Sequence, residues 1–353
     1  QDILIPGDKV LDAEPGQIVV IGITEPPSRN SLPVGQIVEV LGEHLDPGLE
    51  IDMSIRNYGI PHEWNDEVIA ETALIPDEVQ DKDLRVDLRN TPLITIDGED
   101  ARDFDDAVYC QPKPRGGWTL IVAIADVSHY VAVGSALDIE AYQRGNSVYF
   151  PNHVVPMLPE KLSNGLCSLN PAEDRLCMVC EMQIGADGGI TGYQFYEAVM
   201  HSHARMTYTQ VAHILAEKDH GDDSGVRKQF AAILPQVDAL HDLYRMLHSR
   251  RAKRGAIDFD SQETRILFDS QRKISQIIPV DRTEAHRLIE ECMLCANVCS
   301  AEFLDKVKIP ALYRVHEGPS EDRLGSVRDF LGELGIGLGG GDDPQPEDYQ
   351  RVL

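Results

Sequence analysis

The chain has 353 residues, which is more than one hydrophobic core usually organises, so two or three domains are expected. Its 42% hydrophobic and 26% charged residues are typical of a globular protein in water, and we expect neither a transmembrane helix nor a signal peptide. The net charge of -27 argues against binding of nucleic acid by overall electrostatic attraction. It does not exclude binding in a narrow channel that is lined by local basic groups and a metal.

The seven cysteines, an odd number, predict reduced thiols and a cytoplasmic location. Cys177/Cys180 and Cys292/Cys295 together resemble a zinc-binding pattern. However, Cys177 and Cys180 lie in a strand-like run, where residues three apart point to opposite faces. Cys292, Cys295 and Cys299 follow the spacing of a buried helical stripe. We therefore favour cysteines of a hydrophobic core over a zinc site.

The first sixty residues predict short strands separated by Pro and Gly. Two β-branched runs, Ile18–Ile23 and Val34–Leu41, flank a turn-forming stretch that begins at Glu25. Strands at this spacing favour a small barrel of the oligonucleotide-binding (OB) kind, and any other small β domain is the alternative. Residues 61–84 are polar and acidic and predict a connector with a short helix after Pro61.

The acidic segment, which we define as residues 97–106, is the most informative part of the chain. It combines one cation, Arg102, with six carboxylates: Asp97, Glu99, Asp100, Asp103, Asp105 and Asp106. Like charges this close repel each other unless water, protons or a cation separates them. Because core-type residues flank the segment on both sides, we favour a site for a hard divalent metal, Mg²⁺ or Mn²⁺, over a solvated acidic loop. Neither possible start gives the glycine that an EF-hand requires at its sixth position.

From about residue 85 onward the pattern predicts a mixed α/β region. The run Trp118–Asp126 predicts a buried strand, so the acidic segment should lie between two strands. Residues 136–144 have helical composition, and a long helix is expected over residues 226–253, where Pro235 should kink or split it. A second long helix should begin after Thr283, a plausible N-cap, and end near Lys306.

Several segments together resemble the RNB family of exoribonucleases. The residues 93–108 resemble its catalytic motif, and the match extends to Ser147–Pro151, Leu162–Asn170, Ser202–Arg205 and Ile289–Leu294. The sequence Gly98-Glu-Asp-Ala-Arg102 is more similar to the ribonuclease R branch of the family than to the ribonuclease II branch. The fold class implied is multidomain: an N-terminal all-β OB/cold-shock barrel (1–60), a connector (61–84) and a mixed α/β RNB catalytic domain (85–353) that is incomplete at its C-terminus.

The resemblance also implies an activity and a site. Members of the family degrade RNA processively from a single-stranded 3′ end with Mg²⁺ and release nucleoside 5′-monophosphates. Their four metal-site aspartates fall here on Asp97, Asp103, Asp105 and Asp106. Asp97 and Asp106 match the direct ligands, Asp103 a residue that orients the metal and its water, and Asp105 the aspartate most needed for chemistry. Two aromatic residues that clamp the RNA correspond to Tyr149 and Phe259.

One departure from the family pattern concerns an arginine. The family's catalytic domain continues to a segment of the form Ser/Thr-Pro-Ile/Leu-Arg-Lys/Arg-Tyr-x-Asp, whose arginine contacts the scissile phosphate, and this chain ends before it. The expectation is therefore an exoribonuclease present in part. The alternative is a non-catalytic RNA-binding fragment that keeps the fold, and a metal-dependent phosphohydrolase of another fold is a third reading. Glu99, Asp100 and Arg102 have no assigned role.

Overall fold

A computed structural model describes residues 2–43, 46–151, 153–220, 225–257, 263–270, 273–315 and 317–353. The described strands are β1 (Gln17–Glu25), β2 (Val34–Glu43), β3 (Val86–Asp87), β4 (Ile94–Asp97), β5 (Asp106–Pro112), β6 (Trp118–Ala125), β7 (Val148–Phe150), β8 (His153–Val155), β9 (Arg175–Ile184), β10 (Ile190–Met200), β11 (Ala204–Thr207), β12 (Glu263–Phe268) and β13 (Ile274–Val280). The described helices are α1 (Leu49–Asn57), α2 (Asp66–Leu74), α3 (Ala136–Arg144), α4 (Tyr208–His220), α5 (Val226–Gln229), α6 (Leu234–Lys253), α7 (Glu284–Val307), α8 (Glu321–Glu333) and α9 (Pro346–Gln350). Within these residues, no helix is both long and apolar enough to cross a membrane.

The chain divides into two compact units, each built from separate stretches of sequence. The first unit comprises Gln1–Leu74, Ala132–Pro159 and Glu263–Val280, and the second comprises Ile75–Val131, Glu160–Gln262 and Asp281–Leu353. The domain boundaries at residues 60 and 84 stay predictions, because they divide the sequence linearly whereas these units are discontinuous.

The first unit contains three antiparallel hairpins among its described residues: β1 with β2, β7 with β8, and β12 with β13. The strands predicted at residues 18–23 and 34–41 are confirmed. Helix α1 occupies a stretch where the sequence predicted only strands. It begins after Gly48, which adopts a positive φ of 96°, and its first turn carries Glu50 and Asp52, as the helix dipole favours. Arg56 in its last turn pairs with Glu39 of β2 at 2.5 Å.

The second unit is organised by one mixed sheet, in which the described strands follow the order β11-β4-β5-β6-β9-β10-β3. Neighbours are antiparallel except for β11 with β4 and β10 with β3, which are parallel. Helices α4, α6 and α7 pack on this sheet and share one apolar core with it, including Val122 of β6, Leu240 of α6 and Leu288 of α7. The predicted mixed α/β architecture is thereby confirmed.

Local sequence signals account for several of these elements. The strand predicted at residues 118–126 is β6, and its central residues, Leu120–Ala123, are buried as predicted. Pro235 lies in the first turn of α6, after a break that separates α6 from α5, so the predicted split is confirmed. Thr283 caps α7 as predicted, in a capping box with His286. Cys177 and Cys180 are buried in β9, as expected of core cysteines.

Candidate active site

The acidic segment joins β4 to β5, so the prediction that it lies between two strands is confirmed. Asp97 is the last residue of β4, and Asp106 is the first residue of β5. The two strands are antiparallel, with Ile94 opposite Val108, and therefore Asp97 and Asp106 lie at the same end of the strand pair. On the other side of β4, Thr207 of β11 pairs with Asp97. The sheet thus brings both ends of the acidic segment to one edge.

The carboxylates of the acidic segment differ in their exposure to solvent. Phe104 is only 2% exposed, and its side chain anchors the middle of the segment in the protein interior. Asp105 is exposed, whereas Asp97, Asp103 and Asp106 are half-buried. Glu99 and Asp100, for which the sequence offered no role, are exposed. Three of the four aspartates predicted for the metal site are therefore partly shielded from water.

The electrostatics of the acidic segment disfavour ionised carboxylates. Burial raises the pKa of Asp106 to about 7, and the charges of Asp105 and Asp97 contribute in the same direction. Burial also raises the pKa of Asp97, with a further contribution from Asp103, although Arg205 and His286 oppose the shift. The pKa of Asp105 is raised by desolvation and then by the charges of Asp103 and Asp97. A bound cation would relieve this mutual repulsion.

The donor set fits a hard divalent cation in one specific respect. The Oδ2 atom of Asp106 is buried and has no hydrogen-bond partner. An ionised carboxylate oxygen can only accept, so a buried one requires a donor or a cation. Within the described residues, however, no three His, Cys, Asp or Glu side chains are arranged as a set of metal ligands. The structure thus brings the predicted aspartates onto one segment without aligning their side chains around a common point.

Sequence reasoning missed four residues that adjoin the acidic segment: Ser168, Arg205, Tyr208 and His286. The rings of Tyr208 and His286 stack with centroids 4.0 Å apart. Burial and then the charges of Asp97 and Asp106 raise the pKa of Tyr208 above its ordinary range, so this ring lies beside the carboxylates. Ser168 and Arg205 contact the backbone of the acidic segment directly. Ser168 and Arg205 lie in segments that carry the family resemblance, which was their one sequence signal, and Tyr208 and His286 lie in none of these segments.

The structure describes one of the two aromatic residues that were predicted to bind RNA. Tyr149 belongs to the first compact unit, in β7, and its side chain is 64% exposed. Phe259 lies outside the described residues. The aspartates all belong to the second unit. The assignment of Tyr149 and Phe259 to RNA binding therefore stays a prediction.

Comparisons with family models match both parts of the chain. Residues 85–352 match the RNB domain, and residues 1–65 match a cold shock domain. These matches confirm the predicted fold class, an OB/cold-shock domain followed by a mixed α/β RNB domain.

Individual relatives and solved structures are also similar over nearly the whole chain. Ribonuclease R of Vibrio cholerae is 56% identical over 354 residues, and that of Escherichia coli is 51% identical, with 100% of this chain covered in each case. Ribonuclease R of Mycoplasma genitalium in complex with ribose-methylated single-stranded RNA has a TM-score of 0.89 at 32% identity, and the match covers 99% of this chain and 54% of that one. Its complex with double-stranded RNA gives the same TM-score, with 62% of that chain covered. The chain spans 42% and 43% of the lengths of the two curated relatives.

Proposed function

Since the chain belongs to the RNB family, with a cold shock domain ahead of its RNB domain, we propose that it carries the metal-binding aspartates of a hydrolytic 3′-to-5′ exoribonuclease. The activity is processive and releases nucleoside 5′-monophosphates from single-stranded RNA. The Mycoplasma genitalium relative holds RNA in two structures, which supports RNA as the substrate class here. A cytoplasmic location is part of the proposal, and the free thiols of all seven cysteines support it.

The observation that carries the proposal is the acidic segment at the edge of the sheet. The pKa values of Asp97, Asp105 and Asp106 are raised, and a buried oxygen of Asp106 has no hydrogen-bond partner, so a bound divalent cation would stabilise the segment. All the donors are oxygen atoms, which favours Mg²⁺, with Mn²⁺ as an alternative, over softer metals. When bound, Mg²⁺ lowers the pKa of water and neutralises charge on phosphate oxygens.

The four aspartates then have distinct tasks. Asp97, the last residue of β4, and Asp106, the first residue of β5, would hold the ion directly. Asp103 would contribute to the same site and help to orient the attacking water. Asp105 is exposed, so its carboxylate would be accessible to that water and could accept a proton from it.

A direct test uses RNA labelled at either end, incubated with the full-length protein and Mg²⁺. We expect 5′-labelled single-stranded RNA to give a descending ladder, and 3′-labelled RNA to release labelled mononucleotide from the start. Removal of the metal with EDTA should stop both reactions, and added Mg²⁺ should restore them. Internal fragments from the first time point would contradict exonuclease action. RNA that is bound but never shortened would favour the non-catalytic alternative, and the 353-residue chain should be tested alongside.

We further predict that Tyr149→Ala weakens the binding of single-stranded RNA. An exposed aromatic face stacks on bases without regard to sequence, and its loss should cost about 1–3 kcal/mol, or about 5- to 150-fold in Kd. Fluorescence anisotropy with a labelled oligonucleotide measures the change. Tyr142→Ala is the matched control, because Tyr142 is another exposed tyrosine of the same unit. Equal effects of the two substitutions would remove Tyr149 from the RNA-binding site.

A further inference from the structure

The acidic segment is held from one side by a buried hydroxyl group. Ser168 is completely buried, and its Oγ accepts a hydrogen bond from the backbone N–H of Phe104 at 3.2 Å. The same Oγ donates to the carbonyl oxygen of Arg102 at 3.2 Å. One side chain therefore satisfies a buried donor and an acceptor on either side of Asp103.

Ser168 is itself held in place by its neighbours. Its carbonyl oxygen accepts a hydrogen bond from Nε of Arg175 at 2.7 Å. The next residue, Leu169, donates its backbone N–H to the carbonyl of Phe104 at 2.7 Å. The backbone of Asp105 is fixed on the sheet side, where its carbonyl accepts from the N–H of Ala125 at 2.8 Å. The position of Ser168 is thus determined by the sheet and its flanking loop rather than by the acidic segment alone.

Arg205 holds the acidic segment at a second place. Its Nη2 donates to the carbonyl oxygen of Ala101 at 2.7 Å. Its guanidinium carbon lies 4.0 Å from the centroid of the Phe104 ring, a cation–π contact. Arg205 lies on β11, the strand that pairs with β4 beside Asp97, so its backbone is part of the same sheet. Its planar group can stack and donate at once, which a lysine cannot reproduce.

We propose that Ser168 and Arg205 are positioning residues that hold the backbone of the acidic segment against the repulsion of its aspartates, so that the aspartate side chains can reorient around a shared divalent cation. The physical need is clear, because the aspartates repel one another and Mg²⁺ demands nearly ideal ligand geometry. Without these contacts the repulsion would spread the segment before the ion binds. The proposal rests on the proposed function, since it names residues that support the same metal site.

The test compares Ser168→Ala and Arg205→Met in the full-length protein with two matched controls. Ser202→Ala removes a similarly buried serine hydroxyl, which donates to the carbonyl of Ala204 at 3.1 Å and lies 3.4 Å from Oγ1 of Thr95. Arg115→Met removes an exposed arginine of the same unit that lies outside the acidic segment. We expect kcat to fall about 10- to 100-fold in the two test variants with KM for RNA nearly unchanged, and the controls to stay within about twofold of wild type.

Two readouts do not depend on turnover. Titration calorimetry with Mn²⁺ should show an increase of about 10- to 100-fold in Kd for Ser168→Ala and Arg205→Met. In the metal-free protein, the backbone amide of Phe104 should exchange its hydrogen faster in Arg205→Met than in wild type. This is expected even though Ser168 Oγ, which accepts the hydrogen bond from this amide, is unchanged in the variant. Mn²⁺ binding by Arg205→Lys should also be weakened, because lysine keeps the charge but lacks the planar guanidinium group that stacks on Phe104 and donates to Ala101.

The outcomes separate this proposal from the proposed function. If wild type shortens RNA while both test variants keep wild-type kcat and Mn²⁺ affinity, the positioning role is wrong and the exoribonuclease assignment stands. A raised KM with unchanged kcat would identify substrate contacts instead and would also overturn the proposal. If wild type never shortens RNA, the proposed function fails, and the Mn²⁺ titration together with hydrogen exchange still decides whether Ser168 and Arg205 hold the segment.

Discussion

Asp105→Asn is expected to abolish the shortening of RNA by the full-length protein while RNA binding stays nearly unchanged. The substitution keeps the size of the side chain and removes the carboxylate proposed to accept a proton, so the rate should fall by about 10²–10⁴-fold or more. The backbone at residue 105 is fixed by Ala125, and the asparagine should therefore occupy the same place. Binding should persist because the removed charge repels phosphates rather than attracting them.

Single-turnover cleavage of 5′-labelled RNA measures the rate, and anisotropy measures the binding. Asp100→Asn is the matched control, since it makes the same change of charge at an exposed position of the same segment. It should cleave within about twofold of wild type, as surface substitutions usually have small effects. Cleavage at the wild-type rate by Asp105→Asn would contradict the proposed role of Asp105 in the mechanism.

Asp106→Asn is expected to change how stability depends on pH and on Mg²⁺. The folded-state pKa of Asp106 is raised to about 7 from the ordinary 3.8, so the protonated form favours the folded state. This contribution is fully present below about pH 4 and is lost as the pH rises through about 7. In metal-free wild type the loss amounts to at most about 4 kcal/mol, and the asparagine variant should not show it.

Thermal unfolding in EDTA therefore should give similar Tm values for the two proteins at about pH 4 and a higher Tm for Asp106→Asn at about pH 8. Saturating Mg²⁺ should raise the Tm of wild type at the higher pH, because a ligand that binds only the folded state stabilises it. The variant should respond much less, since it lacks one of the two proposed direct ligands. An equal response of both proteins to Mg²⁺ would show that Asp106 does not hold the ion.

Local patterns predicted the elements that frame the site. The apolar run of β6 and the cap of α7 at Thr283 carry signals within a few residues, and the structure confirms both. Helix α1 was missed because its β-branched residues, such as Ile51 and Ile55, favour strands when judged alone. Its start depends on the positive φ of Gly48, which sequence pattern does not reveal.

By itself, the sequence determined that six carboxylates crowd between two strands and that the surrounding motifs resemble the RNB family. Only the tertiary structure decided which carboxylates are shielded, because this depends on where Phe104 enters the core. It also decided what holds the acidic segment. Ser168 reaches Phe104 across 64 residues, and Arg205 reaches Ala101 across 104. Contacts between residues so far apart leave no periodic signal in the chain, so folding alone brings them together.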